Sequence, residues 1–450
     1  MTAPGGGVGR VRWTLLVGFA ALAGGLLLGV SATVRQGDPG FTVDPITRFL
    51  LAVALILIVS HLLGELMRRI GQPPVLGEII AGIIIGKSVF GLLWPEAGAW
   101  FFQPGVLDSL NKVAQLGLVV FMFLLGCELR TDRIERRGTV AALVAGGTIL
   151  PLVAGTGVAF LARSQFQGSS ASGTYVLYFG LAMAITAVPV LARILIDLKL
   201  EHTRVGVLAL SSAAAADGVA WVLLTLILAD RSGSLAQNVG YAVALVAFMM
   251  VCVRPALAAL VPRIHAERVL MMVLVTGAII FAGLTQLMHL HPVVGAFLFG
   301  VAVPRDSPII ERIGQQLQGF TIMVLLPLFF TGVGLSMSIG LLGSDAGHWL
   351  LFLAVLAVAV LAKGIGTWAA ARRTGLPQHE ALQLGVLMNC RGVTEIVFAS
   401  IGLQMGVINE LAFTVLVLVA VVTTAMTKPI VRWLPSGRPV PAPSVGATRT

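Results

Sequence analysis

Apolar residues run along this chain in stretches of about twenty, separated by short polar segments rich in Arg, Pro and Gly. A helix needs about 20 apolar residues to cross a bilayer core. Runs of that kind are Trp13–Thr33, Ile46–Met67, Pro74–Leu93, Leu110–Leu129, Gly138–Ala162, Thr174–Ile196 and Val205–Ala229. The second half adds Val239–Leu260, Arg268–Met288, a short Pro292–Val303, Phe320–Leu342, His348–Ala371, Glu380–Leu403 and Glu410–Val431. The pattern predicts an all-α polytopic membrane protein with about 13 core spans behind an N-terminal one.

Composition agrees with the pattern. Of 450 residues 57% are hydrophobic and 11% charged, and mean hydropathy is +0.96. Soluble domains carry about 25% charged residues. Cys127, Cys252 and Cys390 all lie in apolar runs, where they read as small hydrophobes and not as bridges or zinc ligands. The net charge of +10 suggests nucleic acid only until the basic residues are located.

Lys and Arg concentrate on the cytoplasmic side of membrane proteins. With the N-terminus inside, 21 of the 30 fall in cytoplasmic segments or span ends and six fall outside. The other three, Arg254, Lys363 and Arg391, sit deeper in spans. One miscounted span in mid-chain would collapse that asymmetry, so both termini are expected in the cytoplasm of a cell-membrane protein. Residues 1–45 hold either an extra helix or a signal peptide, since Arg10 and Arg12 precede an apolar run ending Val30-Ser31-Ala32. Residues 46–433 form the membrane domain, and the Pro/Ser/Gly-rich 434–450 reads as a disordered tail.

Two stretches share a PVxGxxxxG pattern, starting at Pro74 and at Pro292, an offset of 218 residues. A second pair follows in order, FLLGCEL from Phe123 and FFTGVGL from Phe329, at offset 206. The first copy enters from the cytoplasm and the second from outside, so the halves are expected to have inverted topology. Inverted repeats around interrupted helices are a transporter architecture. Alternatively, the glycines only let helices pack closely.

A charge at mid-bilayer costs roughly 2.5–3.5 kcal/mol even on lenient scales, so each needs a partner or a task. Asp217, in SSAAAADGVAW, is central to its span and ringed by small residues that leave room for a small ion. Against that role stands a plain ion pair with Lys363 or Arg391. Arg391 and Glu395 are four apart on one helical face and can pair. Lys363 either snorkels or faces the site, and Glu78 follows the PVLG entry towards a cytoplasmic vestibule. Pro189, in mid-span, frees the carbonyl of Ile185. An unwound segment at Thr186–Pro189 would offer carbonyl and hydroxyl oxygens to a cation. Its symmetry mate is the stretch from Asn389 to Gly392. His289 and His291 flank an outer turn and read as loop. Metalloprotease, Walker and dinucleotide motifs are missing, so neither an enzyme nor a cofactor or metal site is expected.

The same residues carry a resemblance. RRIGQPPVLGEIIAGIIIG, FLLGCELR, ITAVPVLARIL, AADGVAW, VVGAFLFGVAVPR, LPLFFTGVGL, AKGIGTWAAAR and LMNCRGVTEIV stand in order over about residues 50–430. Together they resemble the monovalent cation:proton antiporter-2 family, near the plant cation/proton exchangers and bacterial sodium/proton antiporters. The resemblance implies a homodimer in membrane lipid, with a mobile ion-binding core and two unwound helices crossing at Thr186–Pro189 and Asn389–Gly392. Asp217 matches the family's ion-binding aspartate, and Lys363 a lysine that in some members pairs with the acid one position earlier. Here that position is Ala216, which leaves Lys363 neutral, paired with Asp217, or paired elsewhere.

The expected activity is exchange of Na⁺ or K⁺ for H⁺, with Asp217 and Thr186 at the ion site. Lys363, Arg391, Glu395 and Glu78 would support it. The alternatives are a sodium/organic-anion symporter on a related fold and a transport-inactive membrane sensor.

Overall fold

The computed structural model describes residues 44–128, 137–201, 203–228, 235–288, 291–304, 307–343 and 345–434, with Gly18 and Gly25 ahead of them. The expected first span, His289 and the C-terminal tail lie outside the described residues. In chain order the helices begin with α1 (Pro45–Arg69), α2 (Pro74–Ile85), α3 (Phe90–Leu93), α4 (Pro95–Phe101), α5 (Pro104–Glu128), α6 (Arg137–Leu161) and α7 (Arg163–Phe166). There follow α8 (Ser172–Ala184), α9 (Val188–Leu198), α10 (Arg204–Leu228), α11 (Leu235–Phe248), α12 (Arg254–Leu260), α13 (Glu267–Leu287) and α14 (Pro292–Ala302). The last are α15 (Pro308–Phe320), α16 (Leu326–Ser336), α17 (Ala346–Arg373), α18 (Gln378–Leu387), α19 (Val393–Gln404) and α20 (Glu410–Trp433). Ten helical segments among the described residues are long and apolar enough to cross a membrane.

Helix starts follow local chemistry. Proline opens α1, α2, α4 and α14, where its missing N–H costs nothing. Asp44, Asp345 and Asn409 cap their helices, accepting from the N–H of Thr47 at 3.0 Å, Gly347 at 2.8 Å and Ala412 at 2.9 Å. Lys199, with φ of 58°, ends α9 in the left-handed region.

The chain divides into two compact units, residues 1–118 with 317–338, and 119–316 with 339–450. In the first, glycines let backbones touch: a Cβ on Gly77 would stand 2.4 Å from the Leu63 carbonyl oxygen, and one on Gly82 2.2 Å from that of Thr331. Ser60 and Thr331 hydroxyls share a buried hydrogen bond of 2.7 Å there. The second PVxG copy behaves likewise in the second unit. A Cβ on Gly295 would fall 2.1 Å from the Phe281 carbonyl oxygen, and one on Gly300 2.2 Å from that of Phe123. Close packing thus accounts for the glycines in both copies.

Several span boundaries differ from the apolar pattern. The run from Pro74 to Leu93 is helical only to Ile85, because Gly86 turns to an extended conformation. The run from Val239 is interrupted by a π-helical turn, Met249–Val253. The run assigned to Phe320–Leu342 starts a dozen residues earlier, at Pro308, since an amphipathic helix carries Glu311 and Arg312 into it without a break. The runs Thr174–Ile196 and Glu380–Leu403 are each two half-helices, α8 with α9 and α18 with α19.

Candidate functional site: two broken helices around Asp217

Both breaks lie in the second unit, and sequence explains each. Pro189 sits in the first turn of α9, where it needs no donor, while Ala187 before it is extended (φ −87°, ψ 102°). The other break runs from Met388 to Gly392, which is extended at φ 165°. The strands of chain between half-helices cross and bond to each other. The Ala187 N–H donates to the Cys390 carbonyl at 3.1 Å, and the Thr186 hydroxyl to the Met388 carbonyl at 3.3 Å. A Cβ on Gly392 would sit 2.8 Å from Val190 Cγ2, so a side chain there would push the segments apart.

Broken helices leave carbonyls at one end and N–H groups at the other unpaired. The C-terminal end of α8 is closed by two cations. Lys363, from α17, donates to the Ala184 carbonyl, and Arg391 donates to that of Met183. Both side chains are fully buried. Arg391 also bonds Glu395 at 2.8 Å, with neither partner exposed, and its own carbonyl accepts from Thr424. Positive charge at a helix C-terminus interacts favourably with the helix dipole. Lys363 is not snorkelling, and neither cation forms an ion pair with Asp217.

Asp217 projects from α10 and is 2% exposed. Both carboxylate oxygens lack a hydrogen-bond partner among the described residues. The Val188 N–H, at the start of α9, and the Lys363 ammonium are near enough to act on the carboxylate electrostatically. One helical turn further on, Trp221 is buried against Phe398 and Phe297, with ring centroids 4.8 Å and 5.9 Å away. Asp217 is therefore a buried acid without a hydrogen-bond partner among the described residues, beside a helix N-terminus and one turn from a packed aromatic cluster.

Around the crossing, Asn389 donates to the Val360 and Gly385 carbonyls at 3.2 Å and 3.0 Å, and its own oxygen is unpaired. Glu78 is half-buried on α2 in the first unit. Sequence reasoning passed over Ser212, Thr367, Thr394 and Ser400, whose buried hydroxyls find no partner among the described residues. Their signal is absent from the sequence, because Thr423 and Thr427 look alike there yet bond the carbonyls four residues back, at 2.8 Å and 2.7 Å. Ion pairs tie down the far ends of two half-helices: Asp197 of α9 to Lys428 at 3.0 Å, and Glu380 of α18 to Arg204 at 3.6 Å.

Comparison with known proteins follows this geometry. Residues 51–433 match the family model described as "Sodium/hydrogen exchanger, transmembrane". The chain is 34% identical over 402 residues to the Na(+)/H(+) antiporter NhaS4 of Synechocystis, covering 86% of this chain and 98% of that one. It is also 34% identical over 403 residues to Cation/H(+) antiporter 20 of Arabidopsis thaliana, covering 84% of this chain and 47% of the relative. K(+)/H(+) antiporter 1 of Saccharomyces cerevisiae is 30% identical over 431 residues, 92% of this chain and 48% of the relative. The chain thus spans about half the length of these plant and yeast relatives. In fold it resembles the sodium proton antiporter MjNhaP1 of Methanocaldococcus jannaschii, with a TM-score of 0.65 at 14% identity over 86% of this chain and 96% of that one. With ten apolar helices among the described residues, this is a multi-pass membrane protein of a transporter family and not of an enzyme family. The chain belongs to the sodium/hydrogen exchanger family.

Proposed function

We propose that this chain exchanges a monovalent cation, Na⁺ or K⁺, for H⁺ by alternating access, with Asp217 holding either a proton or the cation. The observation that carries the reading is the orphaned Asp217 carboxylate, buried beside the crossing of two broken helices. An isolated buried charge is costly. A proton neutralises the carboxylate directly, and a cation does so while drawing on nearby oxygens such as those of Thr186. One acid cannot hold both. Exchange follows if the core reorients only when its charge is neutralised.

The names of relatives support both ions. Na⁺/H⁺ antiport appears in that of the Synechocystis protein and K⁺/H⁺ antiport in that of the yeast protein. The proposal extends to cytoplasmic termini and inverted halves in the cell membrane, resting on the basic-residue asymmetry and paired motifs, and to a homodimer, resting on the family resemblance alone. Arg391 argues against organic-anion symport, because Glu395 and the Met183 carbonyl already occupy its guanidinium.

The test is proton flux in inside-out vesicles, followed as recovery of a preformed pH gradient on adding Na⁺, Li⁺ or K⁺. Wild type and Asp217→Asn are compared at equal expression. Cation-dependent recovery that the variant lacks is expected. Wild-type vesicles silent towards every cation between pH 6 and 9 would leave the symporter or sensor instead.

A further inference from the structure

The turn after α2 gathers apolar surface and one free cation around a recess in the first unit. The recess has a volume of about 260 Å³ and is lined by Ile85, Lys87, Pro95, Ala99, Leu107 and Leu335 among others. An apolar cavity of about 150 Å³ stays dry and accepts benzene, so this one has room for hydrocarbon. Lys87 is exposed, and makes no hydrogen bond or ion pair among the described residues.

The neighbouring segments indicate what surrounds the recess. On α3, Leu92 and Leu93 are 76% and 79% exposed, which suits lipid and not water. Trp94 follows them, and the Arg48 guanidinium lies 5.5 Å from the Trp100 ring centroid. Tryptophan gathers at the membrane–water boundary, where its ring bridges apolar and wet layers. Lys87 therefore stands beside an apolar recess, in a segment that carries two exposed leucines and two tryptophans.

We infer that this recess is a binding site for one anionic phospholipid, an acyl chain filling the cavity and Lys87 meeting the phosphate. A soluble anion would leave the cavity empty, and a zwitterionic lipid would use Lys87 less. The site is separate from the Asp217 region and goes beyond the proposed exchange.

The test is native mass spectrometry of the full chain in detergent, titrated with phosphatidylglycerol or phosphatidylcholine. Wild type is compared with Lys87→Gln and Ala99→Trp, each first checked for monodispersity. Both substituted positions are exposed, so folding should survive. Wild type is expected to retain phosphatidylglycerol preferentially. Lys87→Gln should lower that preference about fivefold, the effect of one lysine near an anionic surface. Ala99→Trp should abolish retention by filling the cavity. Equal retention of both lipids by wild type, or a Lys87→Gln variant that keeps the full preference, would overturn the site. So would Ala99→Trp retaining lipid as wild type does.

Discussion

Lys363 donates its hydrogen bond to the carbonyl of Ala184, the last residue of α8, and not to Asp217. Arg391 takes the carbonyl just before it, that of Met183. Two buried basic side chains therefore donate to one broken helix end, and neither Asp217 oxygen has a hydrogen-bond partner among the described residues. Ala216 removes the acid beside Asp217, and the Lys363 Nζ instead donates to a backbone carbonyl.

That division of labour separates stability from ion handling. Replacing Lys363 with Met strands the Ala184 carbonyl, a loss of about 1–3 kcal/mol, partly offset because no ammonium is then buried. A lower unfolding temperature in detergent is expected, while protons and cations still compete at Asp217. Loss of that competition with stability unchanged would assign Lys363 to the ion site.

Arg391 and Glu395 form a fully buried pair, so removing one partner leaves the other a buried charge without its counter-ion. Glu395→Gln should cost about 3–5 kcal/mol. A double replacement, Arg391→Met with Glu395→Leu, should lose less than the two single changes sum to. Thermal unfolding of wild type, Arg391→Met, Glu395→Leu and the double variant in one detergent checks this coupling, and strict additivity would deny it.

Gly392 is needed for contact, since its φ of 165° suits any residue. A methyl there meets Val190 at 2.8 Å, and overpacking typically costs about 1–3 kcal/mol. Gly392→Ala should lower the unfolding temperature, and pairing it with Val190→Ala should restore part of the loss.

His291 supplies a pH dependence outside the apolar helices. Its Nδ1 accepts from the Val293 N–H at 3.4 Å to cap α14, and burial pushes its pKa down to about 4. The fold holds the imidazole neutral. Its contribution is present above the unfolded value near 6.5 and declines as pH falls from there towards 4. Unfolding temperature measured between pH 4 and 7 should fall less steeply for His291→Asn than for wild type.

Much of the fold was legible because a bilayer imposes long apolar runs, and the breaks announced themselves through Pro189 and through Asn389 to Gly392. The Arg391–Glu395 pair could be read from its four-residue spacing. Lys363 could not be resolved, because its acceptor lies 179 residues earlier in the chain and is a backbone carbonyl, which no side chain signals. Hydropathy also overran the end of α2 at Gly86, since apolarity continues where the helix stops. Glu78 was singled out by its place after the PVLG motif, and it lies on α2 of the first unit. Ser212 and Thr394 were invisible as candidates because a satisfied hydroxyl and an orphaned one have the same letter.

The central claim is that one carboxylate holds a proton or a cation in turn, and the pH dependence of the apparent KM for Na⁺ or K⁺ tests it most directly. In inside-out vesicles, competition at Asp217 predicts a KM that rises about tenfold per unit of falling pH once the site is mostly protonated, as mass action requires, with maximal rate little changed. Asp217→Asn should show no saturable cation-driven flux. A KM independent of pH between 6 and 9 while the maximal rate falls, or robust exchange in Asp217→Asn, would contradict the account.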